Sequence, residues 1–210
     1  MALLRRVLPW APGWRILDVG CGAGRHARAL AAAGGRPVGL DLSAALLRRA
    51  RETGLPLVRA DMRALPIRDA VVDLAVNLFT SFGYFQRDDH HAAVVRGIAA
   101  CLVPGGWFAL DFLNAERVRQ SLVPEEVQQL GECEARVTRA LEDGGRRVVK
   151  TIAVRGGRTF TERVRLFSRA ELEAMLTAAG LQVEFRFGDY EGRPLEPAAP
   201  RVLLLSRRVH

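Results

Sequence analysis

Three glycines at alternate positions, Gly20, Gly22 and Gly24, are the residues near the start of the chain best suited to holding a ligand. They follow an apolar run at residues 16–19 and precede a stretch with helical character at residues 25–33. Glycine lets the backbone turn sharply, and it lets a ligand approach where a Cβ atom would collide. The last glycine comes one residue too early for the Gly-x-Gly-x-x-Gly of nicotinamide and flavin binders. The spacing therefore predicts a strand, a ligand-binding turn and a helix, with a different ligand.

Acidic residues accompany the ends of the first three predicted strands. Asp18 lies inside the first strand, Asp41 closes the second and Asp61 follows the third. In a parallel sheet such strand ends share one edge, which is where open α/β sheets bind ligands. Each acid taken alone has a plainer interpretation as a helix cap, because short acidic residues are common there. The acids are informative as an ordered set together with the glycines.

Strands and helices alternate along the first half of the chain, which indicates an α/β fold. We predict a Rossmann-like, doubly wound and mostly parallel sheet of seven strands. Its fifth strand is predicted at 107–112, after a helix that Asp88 or Asp89 caps. The last two strands are predicted at 181–187 and 202–206.

A different pattern follows the fifth strand. Three stretches alternate in polarity and are separated by glycine-rich turn signals: 132–141, 146–154 and 158–167. They predict an antiparallel β meander. We expect a single domain, residues 1–210, with residues 132–167 inserted as a β lid. Ser168 and Glu171 have the spacing of a capping box and predict the start of the next helix.

Composition limits the classes of partner. The chain is 49% hydrophobic with a net charge of +8, and Lys150 is the one lysine among its 31 basic residues. The arginines are spread along the chain, so a nucleic-acid partner is disfavoured but stays open. We find no run long enough for a membrane span and no signal peptide. Three cysteines without metal-ligand spacing indicate a cytoplasmic protein with reduced thiols and predict no metal site.

The ordered glycines and acids resemble motif I and the following strand ends of the class I S-adenosylmethionine-dependent methyltransferases. The resemblance implies S-adenosyl-L-methionine as the cofactor. In it Asp41 accepts hydrogen bonds from the ribose hydroxyls, a task that suits a carboxylate because it has two acceptor oxygens and no donor. Asp61 would face the adenine amino group, and Met62 would pack on the purine. The cofactor-binding residues implied are Asp18, Gly20, Gly22, Gly24, Asp41, Leu42, Asp61, Met62 and Asn77.

Two further segments, 77–85 (NLFTSFGYF) and 110–114 (LDFLN), resemble the small-molecule branch related to glycine/sarcosine and amino-sugar N-methyltransferases. This implies in-line methyl transfer to a small amine, carboxylate or hydroxyl compound. Aromatic side chains beside a sulfonium attract the cation and exclude water. The residues expected to be catalytic are Asn77, Tyr84 and Asp111. Those expected to bind the acceptor are Phe82, Tyr84, Asn114 and Arg165, whereas Phe79 is expected to pack under the lid.

The remaining candidates have alternatives. His90 and His91 are expected to be solvated, His26 to pack or to reach the cofactor carboxylate, and His210 to belong to the tail. Pro9 and Pro12 prevent a long helix before the first strand, so either the site is more open, or the meander or a second subunit of a possible homodimer closes it. RNA or protein methylation is an alternative function, as is a non-catalytic adenosylmethionine-binding module.

Overall fold

The computed structural model describes residues 1–131 and 133–209. The helices are α1 (Ala2–Val7), α2 (Arg25–Ala32), α3 (Ala44–Ala50), α4 (Asp88–Cys101), α5 (Ala115–Ser121) and α6 (Arg169–Ala178). The strands are β1 (Arg15–Val19), β2 (Arg36–Asp41), β3 (Leu57–Arg59), β4 (Val72–Asn77), β5 (Leu102–Leu113), β6 (Glu125–Leu130), β7 (Cys133–Glu142), β8 (Arg147–Val154), β9 (Thr159–Arg165), β10 (Leu181–Phe187) and β11 (Arg201–Arg208).

The main sheet has seven strands in the order β10-β11-β5-β4-β1-β2-β3. The strands from β5 to β3 pair in parallel, and β11 pairs antiparallel with both of its neighbours. The predicted doubly wound, mostly parallel sheet is thereby confirmed. Because the parallel strands run the same way, the carboxyl ends of β1, β2 and β4 meet at one edge.

Helices cover the sheet on both faces, because alternate side chains of each buried strand point to opposite sides. On one face, Ile98 of α4 and Leu176 of α6 belong to the larger hydrophobic cluster. On the other, Leu4 of α1 and Leu30 of α2 pack with Ile16 of β1. Helix α1 ends at Val7, before Pro9 and Pro12, so the helix ahead of β1 is short.

The inserted meander has one strand more than the sequence predicts. It is an antiparallel sheet in the order β6-β7-β8-β9, which we call the lid sheet. Strand β6 reads EEVQQL, so it lacks the apolar alternation of a half-buried strand, and its backbone pairs with β7 all the same. Helix α5, which precedes it, was also not predicted. Glu132, where the predicted meander begins, and His210 lie outside the described residues.

Local helix signals gave mixed results. The capping box is confirmed: Ser168 Oγ accepts from the Glu171 N–H at 3.2 Å, and Glu171 Oε2 accepts from the Ser168 N–H at 2.7 Å. The predicted cap of α4 is wrong, because the N-cap is Arg87 and both Asp88 and Asp89 lie in the first turn. There they face the positive end of the helix dipole, which stabilises acidic residues without a side-chain cap.

Candidate functional site

Glycines are needed in the turn after β1 for two different reasons. Gly20, Gly22 and Gly24 all have positive φ, at 74°, 56° and 80°. A Cβ on Gly20 would lie 2.6 Å from the Cβ of Ser81, whereas one on Gly22 would meet nothing within 4 Å. Gly20 therefore allows close packing against the loop after β4, and Gly22 faces open space that a ligand can enter.

Asp41 connects this turn to the end of β2. Its Oδ2 accepts from the Gly22 N–H and its Oδ1 from the Ser43 N–H, both at 2.8 Å. Each carboxylate oxygen can accept more than one hydrogen bond, so both remain capable of receiving a ligand hydroxyl. The half-buried carboxylate is thus oriented before any ligand binds.

Asp18 is buried beneath the turn, with 1% of its surface exposed. Burial raises the pKa of its carboxyl to about 7, the Ala27 N–H that donates to it lowers the pKa, and the charge of Asp41 raises it. Within the described part of the chain, its Oδ2 has no hydrogen-bond partner. A cationic group of a ligand nearby would stabilise the ionised form.

The side chains expected around a purine flank the same edge. Leu42 is 62% exposed, and Met62 is partly buried. The Cε of Met62 lies 3.5 Å from the position that a Cβ on Gly20 would take. Asp61 is engaged in an ion pair with Arg63 at 2.6 Å, and the hydrogen bonds from Arg63 hold the pKa of its carboxyl below the usual range.

Asn77 ends β4 and is completely buried. Its Nδ2 donates to the Val19 carbonyl at 2.9 Å, which joins β4 to β1 directly before the glycine turn. The Asn77 Oδ1 is buried without a partner among the described residues. Asn77 therefore lies beneath the glycine turn. It does not line the larger cavity on the other side of the loop after β4.

A cavity of about 680 Å³ lies between the loop after β4, α5 and the inner face of the lid sheet. We call it the acceptor cavity. Tyr84 lines this cavity, and 47% of its surface is exposed. Burial raises the pKa of its hydroxyl, and the charge of Glu162 raises that pKa by a smaller amount. The charged residues that line the cavity are Arg117, Glu126, Arg139, Lys150, Glu162 and Arg201.

A second cavity of about 310 Å³, the tail pocket, lies against the other side of Phe79. Its lining includes Leu4 of α1, Arg25 and His26 at the start of α2, and Tyr190. Phe79 was expected to pack under the lid, and this is wrong: it is 61% exposed and lines both cavities. The Arg25 guanidinium lies over its ring, 4.8 Å from the centroid.

Asp111 was expected to act at the acceptor, and the structure instead places it in a buried network with 1% exposure. Its Oδ2 accepts from the Phe79 N–H at 2.9 Å and the Tyr190 hydroxyl at 2.8 Å. Its Oδ1 accepts from the Arg201 Nε at 2.7 Å. Both oxygens are therefore occupied, and Asp111 holds the loop after β4 rather than serving as a free base.

Tyr190 was not predicted from the sequence, because no motif surrounds it. Burial raises the pKa of its hydroxyl to about 12.

Two expected acceptor residues have structural roles. Phe82 is 1% exposed and packs against the rings of His91, Phe112 and Phe167, with centroids 5.1 to 6.1 Å apart. Asn114 is the N-cap of α5, and its Nδ2 donates to three carbonyls of the 196–199 segment. Neither residue lines the acceptor cavity. The prediction that these two residues bind the acceptor is therefore wrong, because Phe82 belongs to the aromatic core and Asn114 caps a helix.

Arg165 is also buried, with 2% exposure, and forms an ion pair with Glu171 at 2.6 Å. Side chains alternate along a strand, and Glu162 and Val164 are the β9 residues that line the acceptor cavity. Arg165 therefore points to the face of β9 opposite the cavity, and the prediction that it binds the acceptor is wrong.

The histidines divide in a way that the sequence did not show. His91 is completely buried among aromatic rings, and burial lowers its pKa to about 4. Its Nδ1 lies 3.1 Å from the Arg87 carbonyl, and its Nε2 accepts from the Phe85 N–H at 3.3 Å. Both nitrogens of a neutral ring are thus satisfied, so the expectation of a solvated His91 is wrong. His90 is partly exposed beside Phe85.

Comparisons with known proteins bear on this arrangement. A family model described as a methyltransferase domain matches residues 16–106, which include the glycine turn and Asp41. The dTDP-3-amino-3,4,6-trideoxy-alpha-D-glucopyranose N,N-dimethyltransferase of Streptomyces venezuelae is 32% identical over 202 residues, covering 88% of this chain and 82% of that protein. This chain belongs to the S-adenosylmethionine-dependent methyltransferases.

Solved structures agree with the fold of the methyltransferase. The CcbJ methyltransferase from Streptomyces caelestis superimposes with a TM-score of 0.85 at 21% identity, over 100% of this chain and 88% of that one. The S-adenosylmethionine-bound amino pentose methyltransferase CalS10 from Micromonospora echinaspora gives a TM-score of 0.69 at 25% identity, over 98% and 86% of the two chains.

The cofactor of the methyltransferase is S-adenosyl-L-methionine, and its reaction is methyl transfer to a small-molecule acceptor. The residues present fit the cofactor: open space above Gly22, an oriented carboxylate on Asp41 and an unpartnered buried oxygen on Asp18. Among the described residues, no helix is long and apolar enough to cross a membrane.

Proposed function

We propose that the methyltransferase transfers its methyl group to the amino group of a sugar-sized acceptor held in the acceptor cavity. Glu162 carries this proposal. It lines the cavity beside Tyr84, its side chain is 45% exposed, and its ion pair with Lys150 Nζ is long, at 4.0 Å. A carboxylate so weakly paired attracts an ammonium group and orients it. The S. venezuelae relative acts, by its name, on an amino sugar.

A hydroxyl acceptor is less well served by the same cavity, because it needs a base to take its proton. Asp111 is occupied by Arg201, Tyr190 and the Phe79 N–H. His91 is buried in the aromatic core with both nitrogens engaged. An amine needs no base in the cavity, because its ammonium form loses the extra proton to water, and Glu162 attracts and orients the amino group.

The chemistry asks mainly for alignment. When bound, the cofactor supplies an electrophilic methyl group on a sulfonium. Transfer of that methyl group to a neutral amine would leave the carbon–sulfur electron pair on sulfur, and the methylated ammonium would lose its proton to water. The lid sheet and Phe79 form the walls of the cavity, and alignment of the reacting atoms there contributes up to roughly 7–11 kcal/mol.

The cofactor-binding roles in this proposal follow the strand edge. Asp41 receives the ribose hydroxyls, and Leu42 and Met62 flank the purine near Asp61. Arg25 receives the carboxylate of the methionine part, since its observed contacts are to His26 at 3.3 Å and the Phe79 ring, neither of which is an anion.

The test is methyl transfer to a matched pair of acceptors. We expect a nucleotide-linked 3-amino sugar, and the free amino sugar more slowly, to gain a methyl group by mass spectrometry, and the 3-hydroxy counterpart to gain none. Glu162→Gln should lower kcat/KM for the amine by roughly tenfold. Glu134→Gln, an exposed acid on the outer face of β7, is the control and should change nothing. Equal methylation of the hydroxyl counterpart would refute the proposal.

Two further predictions from the sequence stay predictions. A cytoplasmic setting agrees with the free thiols of Cys21, Cys101 and Cys133. A homodimer is to be measured by sedimentation.

A further inference from the structure

Phe79 combines a strained backbone with an exposed ring. Its φ is 57°, and that of Thr80, which follows it, is 64°. This left-handed conformation is unfavourable for a residue with a Cβ atom, and most of all for a β-branched one. The ring of Phe79 is nevertheless 61% exposed, so packing in the core does not offset the strain. Strain of this kind is concentrated at functional sites, which makes the ring a candidate for contact with a ligand.

The strained pair is held by buried groups from distant strands. Asp111 Oδ2 accepts from the Phe79 N–H at 2.9 Å, and the Asp111 carbonyl accepts from the Thr80 N–H at 3.3 Å. Thr80 Oγ1 in turn accepts from Arg201 Nη2 at 2.9 Å, and that guanidinium forms an ion pair with Asp111 at 2.6 Å. Because Asp111 is 1% exposed, these contacts are shielded from water and fix the position of the Phe79 backbone.

The ring lies at the boundary between the tail pocket and the acceptor cavity. The structure describes every aromatic residue of the 77–85 loop, and Phe79 is the one that lines both. Tyr84 lines only the acceptor cavity, and Phe82 is buried in the core. In the proposed function the methionine part of the cofactor reaches Arg25 in the tail pocket, and the acceptor lies in the other cavity. The sulfonium between them is therefore placed beside the Phe79 ring.

The face of this ring already attracts cations. The Arg25 guanidinium lies 4.8 Å from the ring centroid, and the Arg201 guanidinium lies 6.0 Å from it. Both are within the range at which the electron-rich face of an aromatic ring attracts a positive charge. Arg201 is neutralised by its ion pair with Asp111, and the carboxylate of the cofactor would neutralise Arg25. Neither guanidinium then opposes a further cation at the ring.

We propose that Phe79 is a cofactor-binding residue whose ring face binds the positively charged sulfur of S-adenosylmethionine, and that Asp111 and Arg201 are its positioning residues. The ring thereby distinguishes the sulfonium of the cofactor from the neutral thioether of S-adenosylhomocysteine. Because methyl transfer removes the charge, the attraction is lost once the product forms, which favours product release. The inference rests on the proposed function, since it takes the methionine part to lie at Arg25.

The test compares the affinities of these two ligands, so it needs no acceptor. S-Adenosylmethionine and S-adenosylhomocysteine are titrated by calorimetry into the full chain. Phe79→Leu keeps an apolar side chain without an aromatic face, and it should weaken S-adenosylmethionine roughly three- to tenfold and S-adenosylhomocysteine less than about twofold. Phe79→Trp should restore the affinity for S-adenosylmethionine, because indole attracts cations more strongly than phenyl does.

The matched control is Phe160→Leu, the same substitution at a ring that is 52% exposed and lines neither cavity, and it should change neither affinity. The inference is overturned if Phe79→Leu weakens both ligands equally or leaves both unchanged. It is also overturned if Tyr84→Leu, rather than Phe79→Leu, selectively weakens S-adenosylmethionine. An error in the proposed function shows elsewhere: both ligands carry the carboxylate assigned to Arg25, and the amine and hydroxyl compounds report on the acceptor.

Discussion

Replacing Asp41 by alanine tests the cofactor site most directly. The Asp41 carboxylate already accepts from the Gly22 and Ser43 N–H groups, both at 2.8 Å, so the residue shapes the glycine turn as well as having the ribose-binding role that we propose for it. Two hydrogen bonds from ribose hydroxyls to a charged, half-buried acceptor contribute about 2–4 kcal/mol together. We therefore expect Asp41→Ala to weaken S-adenosylhomocysteine by roughly 30- to 1000-fold in titration calorimetry.

Loss of the two backbone contacts should also lower the melting temperature of the ligand-free protein, by about 2–4 °C for each kcal/mol. Ser43→Ala separates the two effects. Ser43 Oγ accepts from the Leu46 N–H at 3.3 Å as the cap of α3, so its loss costs about 1 kcal/mol of stability without removing a ligand contact. The reasoning fails if Asp41→Ala binds the ligand like the wild type, or if Ser43→Ala weakens binding equally.

Two other predictions concern the tail pocket and the buried histidine. Arg25→Ala should weaken S-adenosylhomocysteine about tenfold, the size of one charge-assisted hydrogen bond, and leave 5′-methylthioadenosine, which lacks the amino-acid part, unchanged; an equal loss for both ligands would contradict the role. The folded-state pKa of His91, about 4, lies below its ordinary 6.5, so its neutral form is fully stabilising above pH 6.5. Stability should then fall by about 3 kcal/mol as the pH drops from 6.5 to 4, measured by urea unfolding, and His91→Phe should lose that part of the slope.

The cofactor edge could be predicted from the sequence because each of its signals is local. A glycine turn between a strand and a helix needs only neighbouring residues, so Gly20, Gly22 and Gly24 were found where they lie. Asp41 was found for the same reason, since it closes a strand and precedes a turn. The mostly parallel sheet followed from the alternation of strands and helices, which packing rules translate into parallel strands.

The acceptor side depended on contacts between distant parts of the chain. Asp111 is held by Tyr190, 79 residues away, and by Arg201, 90 residues away, and no local pattern shows either partner. Whether Glu162 or Arg165 faces the cavity depends on the phase in which the lid sheet packs on the main sheet, and a slip of one residue reverses every side chain.

The sequence by itself therefore determined the fold class, the glycine turn after β1 and the acids at the strand ends, because these depend on backbone conformation within a few residues. Tertiary structure alone decided which side chains near the acceptor are open. Phe79 is exposed and Phe82, three residues later, is in the core, since Phe82 meets Phe112 and Phe167 from other elements. Burial of a side chain is a property of what packs against it, and that is specified only when the whole chain has folded.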